Sequence, residues 1–135
     1  MEKPKILIVD DDPDLRRALN LRFRANHYDT AYATDGFSAI AMAQKEKPDA
    51  IILDVGLPAG DGFVVLDRLQ QNAALSTIPV IVLTARDPQS TKERIMKAGA
   101  SAFFQKPADN GELMNAVRAV LSPAWPGTQP AIPQA

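Results

Sequence analysis

Three short runs of large apolar residues limit what this chain can fold into. They are Ile6-Leu7-Ile8-Val9, Ile51-Ile52-Leu53 and the stretch Ile78 to Leu83. Each is too short for a globular helix and shows no polar alternation. Such a run, bounded by turn formers, suits a strand buried on both faces of a parallel sheet. The first run ends in Asp10-Asp11-Asp12. The second ends in Asp54 and then a loop of small residues, Val55-Gly56-Leu57-Pro58-Ala59-Gly60-Asp61-Gly62. Asp54 therefore stands at the carboxyl end of a strand, the edge where open α/β sheets bind ligands.

Helical patterns fill the intervals. Asp12-Pro13 reads as an N-cap and first helical position. Leu15, Ala18, Leu19 and Phe23 follow as an inward face, and Arg16, Arg17, Asn20 and Arg24 fall mainly on the other. A short strand runs roughly from Tyr28 to Ala33. A second helix opens at Asp35-Gly36, turns Phe37, Ile40 and Ala41 inward, and stops before Pro48, which disfavours helical backbone at Lys47. Phe63, Leu66 and Leu69 mark a third helix. A fourth starts near Pro88, runs to Lys97 and stops at Gly99. Ala102 to Gln105 is a fifth strand and leads into Lys106-Pro107. Asp109 and Glu112 have capping-box spacing ahead of a last helix with Leu113, Val117, Val120 and Leu121 inward. Five strands alternating with five helices predict an α/β fold, a doubly wound parallel five-stranded sheet.

Composition excludes several classes. Net charge is -1, so no basic excess points to nucleic acid. Without cysteine there is no disulfide or thiolate zinc site. No run approaches the ~18 apolar residues of a membrane span. The charged start, Met1 to Lys5, is unlike a signal peptide, so a cytoplasmic location is expected. The 135 residues suit one domain, 1–121, and then a Pro-rich tail or linker, 122–135, in which Trp125 folds back onto the domain, contacts a neighbour or is solvated.

All carboxyl ends of a parallel sheet share one edge, so Asp10, Asp11, Asp54, Thr84 and Lys106 can converge. Taken singly they have plain readings. The acid pair suits a helix N-terminus, Thr84 a strand end, and Lys106-Pro107 a loop. Together they make a site. Clustered carboxylates repel, and hard oxygen ligands suit Mg2+ or Mn2+. Lys106 adds a second positive charge, Thr84 a hydroxyl donor, and Asp54 is a carboxylate nucleophile for phosphorus. His27, the single histidine, is expected in a solvated turn, and Arg16, Arg17, Arg22 and Arg24 on a solvated helix face, with a contact to a partner protein as the lesser reading.

The stretches ILIVDDDPDLR (6–16), ILDVGLPAGDG (52–62), VIVLTA (80–85), AGA (98–100) and FFQKP (103–107) resemble the receiver domains of two-component response regulators, the CheY-like family. The resemblance spans about residues 4 to 121. It implies a flavodoxin-like (βα)5 sheet in the order 2-1-3-4-5. It also implies Asp54 as phosphoacceptor for a histidine kinase or histidine phosphotransfer protein. Asp11 would bind Mg2+ directly, Asp10 through water, and the Gly56 backbone carbonyl would be a further ligand. Thr84 and Phe103 would be switch residues, Lys106 would pair with the phosphoryl group, and Lys106-Pro107 would be cis. Any chemistry would be intrinsic autophosphorylation and autodephosphorylation, in a signalling domain and not an enzyme. An output domain or target protein would read the face of the fourth helix, fifth strand and fifth helix, which leaves room for a homodimer. Gly56 and Arg86 stand where the family tunes phosphoryl lifetime. Glycine cannot orient water and arginine can shield, so a long-lived phosphoryl group is expected. Two rival readings are a metal-dependent phosphatase with an aspartyl nucleophile and a non-phosphorylated interaction module. Gly56 offers the phosphatase no general acid. The full acid set with Thr84 and Lys106 speaks against the module.

Overall fold

A computed structural model of the chain describes residues 3–57 and 62–122. Ten elements alternate: β1 (Lys5–Val9), α1 (Pro13–Ala25), β2 (Asp29–Ala33), α2 (Gly36–Glu46), β3 (Ala50–Leu53), α3 (Gly62–Gln71), β4 (Val80–Thr84), α4 (Pro88–Lys97), β5 (Ala102–Gln105) and α5 (Asn110–Leu121). The strands form one sheet in the order β2-β1-β3-β4-β5. Every pairing is parallel. The expected fold class and strand order are both present. The expected Pro-rich tail, with Trp125, lies outside the described residues beyond Ser122, as do Pro58 to Asp61.

Period-two alternation sorts the strand residues onto two faces. Leu7, Val9, Ile51, Leu53, Val80, Val82 and Phe103 face a core closed by α2, α3 and α4. Ile6, Ile8, Ala50, Ile52, Ile81, Leu83, Ala102 and Phe104 face a second core closed by α1 and α5. All residues of β3 and β4 are buried, as runs apolar at every position require.

Aspartates start four of the helices. Asp12, Asp35, Asp87 and Asp109 each accept a hydrogen bond from a backbone N–H of the first turn, which would otherwise lack a partner. Two stops follow backbone chemistry. Lys47, ahead of Pro48, leaves the helix through left-handed backbone at φ 49°, and Gly99 ends α4 at φ 108°. At that φ a glycine carries no Cβ to clash.

The structure corrects the inward face of α2. Phe37 is 84% exposed and Ala41 is exposed, whereas Gly36, Ala39 and Ala43 are buried. A 3.6-residue period allowed both stripes, and α2 presents its small one because it packs against both β2 and α3. Ala18 is likewise exposed; the α1 stripe is Leu15, Leu19 and Phe23. Tyr28 precedes β2 and sets its ring edge-on to Phe23, 6.1 Å between centroids. The fourth strand starts at Val80 and not at Ile78. Pro79 has no N–H for the ladder, and its carbonyl accepts from the Ile51 amide at 3.0 Å.

Gly62 is where α3 meets the end of β3. Its N–H donates to the Val55 carbonyl at 3.2 Å. A Cβ at this position would stand 2.2 Å from Val55 Cα, so only glycine fits. Gly62→Ala is expected to destabilise by about 1–3 kcal/mol, the cost of overpacking against something that cannot yield. Phe37→Ser should stay within about 0.5 kcal/mol of wild type, because the ring buries little. Urea midpoints of the two variants check both values.

Candidate functional site

The site is assembled by the ladder running one residue past the strands. The Asp54 amide donates to the Val9 carbonyl at 3.0 Å, the Asp10 amide to Ala33 at 3.1 Å, and the Lys106 amide to Thr84 at 2.8 Å. These bonds set Asp10, Asp54 and Lys106 along the carboxyl edge of β1, β3 and β5. Asp10 is 3% exposed, Asp54 7% and Thr84 1%, whereas Asp11 is exposed.

Lys106 joins the acids. Its Nζ donates to Asp10 Oδ2 at 2.8 Å and to Asp54 Oδ2 at 3.1 Å. The other oxygens are held by backbone. Asp10 Oδ1 accepts from the Asp12 amide at 2.9 Å, and Asp54 Oδ1 from the Gly56 amide at 2.8 Å. Asp10, Asp11 and Asp54 each offer a carboxylate oxygen, and these three oxygens lie within 4.8 Å of one another.

The charges do not balance. Burial pushes the Asp10 carboxyl above the ordinary range. The bonds from Lys106 and the Asp12 amide pull it down, and the Asp54 charge adds to the rise. Burial works against the charge of Lys106, but Asp10 and Asp54 outweigh it, so the ammonium is held above its usual value. One ammonium among three carboxylates leaves a negative excess. A small divalent cation with oxygen preference fits that donor set.

Thr84 ends β4, and its Oγ1 accepts from the Arg86 amide at 3.3 Å. The Lys106-Pro107 peptide is cis. Phe103 is buried in the core on the α2–α3–α4 side. His27 is exposed with φ 67°, at the turn after α1.

Sequence reasoning missed Arg16, which is not on a wholly solvated face. Its Nη1 donates to the Asp10 carbonyl at 3.0 Å and its guanidinium lies 5.1 Å from the Tyr32 ring centroid. Reading the helix by faces hid this, because a long side chain in the first turn reaches back over the helix start. Phe63 was read only as a marker of the third helix. Its ring also carries the guanidinium of Arg94 at 3.6 Å and that of Arg86 at 5.8 Å. No helix of the described residues is long and apolar enough to cross a membrane.

Comparison with known proteins matches residues 6–118 to the family model described as the response regulator receiver domain. The DNA-binding dual master transcriptional regulator RpaA of Synechocystis sp. is 38% identical over 87% of this chain. The chain spans 49% of the length of RpaA, about half. Protein PilH of Pseudomonas aeruginosa is 33% identical over 87% of this chain and 98% of its own length. The solved receiver domain of a sensor histidine kinase from Pseudomonas aeruginosa, with magnesium coordinated in its active-site cleft, superposes with a TM-score of 0.81. It is 27% identical and covers 88% of this chain and 98% of that one. A five-stranded parallel sheet with a lysine-bridged acid cluster at its carboxyl edge, a family match over residues 6–118 and these relatives converge: the chain belongs to the response regulator receiver domain family of two-component signalling.

Proposed function

We propose that Asp54 is the phosphoacceptor of this receiver domain and that Asp10, Asp11, Thr84 and Lys106 serve its phosphorylation. The carrying observation is the placement of the Asp54 carboxylate. It ends the central strand, is aimed by the Gly56 amide, and touches the Lys106 ammonium beside a second buried acid.

A phosphohistidine of a kinase or phosphotransfer protein, or a small acyl phosphate, is the donor. An Asp54 oxygen attacks phosphorus, the bond to the donor breaks, and the leaving group departs with the electron pair. Lys106 turns from carboxylate to phosphoryl oxygen, a short move because it already touches Oδ2. Mg2+, or Mn2+, held by Asp11, Asp54 and the Gly56 carbonyl, with Asp10 behind a water, would neutralise the acids and the incoming phosphate. Asp11 suits a direct position because its carboxylate is exposed beside those of Asp10 and Asp54.

Thr84 converts the new charge into motion. Its hydroxyl accepts from the Arg86 amide and still has its own hydrogen to donate. A phosphoryl group on Asp54 adds about -1.5 to -2 charge and attracts that hydrogen. The loop between β4 and α4 follows through the Arg86 amide, and Phe103 repacks beneath it. The face of α4, β5 and α5 then changes affinity for an output domain, a target protein or a second copy. The same chemistry in water makes autophosphorylation and autodephosphorylation intrinsic to the domain, in a cytoplasmic signalling protein with a Pro-rich segment after residue 121.

Incubation with acetyl phosphate and Mg2+ should give one acid-stable, base-labile label, lost in Asp54→Asn. Turnover of many phosphate esters would instead indicate a phosphatase, and absence of both label and Mg2+ binding an interaction module. Mg2+ at 100 times its Kd should stabilise the fold by about 2.7 kcal/mol, and Asp11→Asn should abolish that gain in a thermal melt. Lys106→Met is expected to cost about 1–3 kcal/mol at neutral pH by leaving buried acids unpaired. A carboxyl with a folded pKa above its unfolded value loses stability as pH rises through the folded value. Removing Lys106 raises Asp10 further, so stability of the variant should fall more steeply than wild type from pH 4 to 7 in urea titrations.

A further inference from the structure

Helix α1 and the edge strand β2 enclose a cavity of about 420 Å³ that the acid cluster does not use. That volume falls within the range of roughly 300–1,000 Å³ typical of small-molecule sites. Both walls follow from register. Arg16, Asn20 and Arg24 recur every fourth residue, so they form one row along α1. Thr30 and Tyr32 pair with Ile6 and Ile8 of β1, which face the core closed by α1 and α5. Paired residues of neighbouring strands share a face, so Thr30 and Tyr32 meet the α1 row from the edge of the sheet.

Two sets of contacts hold the cavity open at its ends. At one end Asn20 Oδ1 accepts from Thr30 Oγ1 and from Arg24 Nε, the latter at 3.0 Å. At the other, Arg16 donates to the Asp10 carbonyl at 3.0 Å and lies 5.1 Å from the Tyr32 ring centroid. The ring is nonetheless 60% exposed, so it keeps surface for a further stacking partner. From Arg16 to Arg24 the row rises about 12 Å, at 1.5 Å per residue. The cavity is therefore elongated, with an aromatic end and a cationic end.

Its charge has one sign. Arg16, Arg17 and Arg24 line it, and no acid does. Arg17 meets Asp14 at 3.8 Å, but both side chains are largely in solvent, where such a pair is weak. Among the described residues neither Arg16 nor Arg24 is paired with a carboxylate. Each spends one N–H on a neutral oxygen, which leaves most of the guanidinium donors for a ligand. Planar guanidinium forks match phosphate oxygens, and an open aromatic ring stacks on a nucleobase.

We propose that this cavity is a second ligand site that binds a nucleoside diphosphate, with the base against Tyr32 and the phosphates on Arg17 and Arg24. It is separate from the acid cluster and needs no divalent cation, because the arginines supply the countercharge.

The test is equilibrium dialysis of the full chain against labelled ADP, GDP and UDP. EDTA is present, so that no cation links a phosphate to the acid cluster. At least one of the three should bind with a Kd below about 1 mM. Tyr32→Leu should weaken that nucleotide about five- to a hundredfold, the loss of one stacked base, whereas Tyr32→Phe should keep its affinity. Arg24→Gln should cost about tenfold or more, the loss of charged hydrogen bonds. Arg24→Lys should recover only part of that, since lysine keeps the charge without the fork. Pyrophosphate, which has no base, should bind at least about fivefold more weakly than the nucleotide. Both positions are exposed, and an unchanged urea midpoint checks that each variant is folded. The proposal is overturned if none of the three nucleotides binds, or if binding is indifferent to both Tyr32→Leu and Arg24→Gln. Pyrophosphate binding as tightly as the nucleotide also overturns it, because the cavity would then hold anions without reading a base.

Discussion

Three carboxylates share one sheet edge here under the control of a single ammonium. Lys106 reaches Asp10 and Asp54 across sequence separations of 96 and 52 residues. Burial raises the Asp10 carboxyl, and the Lys106 ammonium pulls against that rise. The compensation is incomplete, and Asp10 remains raised. That residual strain is useful chemically. A site with excess negative charge and oxygen donors suits a hard cation, and the lysine ammonium already touches an oxygen of each buried acid. The rest of the fold works as a mount, because the sheet must hold β1, β3 and β5 in register for one side chain to span two acids.

Around that bridge the backbone is packed closely. Gly62 lies against Val55, which draws the start of α3 up to the end of β3. The same approach brings Phe63 beside the site, where it meets Arg86 and Arg94. Thr84 holds the Arg86 amide. One arginine is thus joined to the hydroxyl at its backbone and to the aromatic ring at its side chain.

Much of this was legible in one dimension. Runs such as Ile51-Ile52-Leu53 announce buried parallel strands, since no face of them is left polar. Asp12, Asp35 and Asp109 announce helix starts, because their short carboxylates fit the first-turn amides. Less legible were the contacts that depend on how elements pack. Phe37 was expected inside because it is large and apolar, and α2 instead buried Gly36, Ala39 and Ala43, the stripe it turns toward β2 and α3. Arg16 was expected in solvent, and it donates to the Asp10 carbonyl. Neither outcome follows from periodicity, which names candidate faces but not the distance to the neighbouring element.

Sequence alone therefore determined the alternation of strands and helices, the shared edge of Asp10, Asp54, Thr84 and Lys106, and the chemistry those residue types can perform. These are local matters: residue type, spacing, and the rule that parallel strands end on one side. Tertiary structure decided which carboxylate oxygen Lys106 touches, why position 62 accepts only glycine, and that Phe63 carries two arginines. Those facts depend on separations of a few ångströms between residues far apart in the chain. Only the packing of helices on the sheet sets such distances.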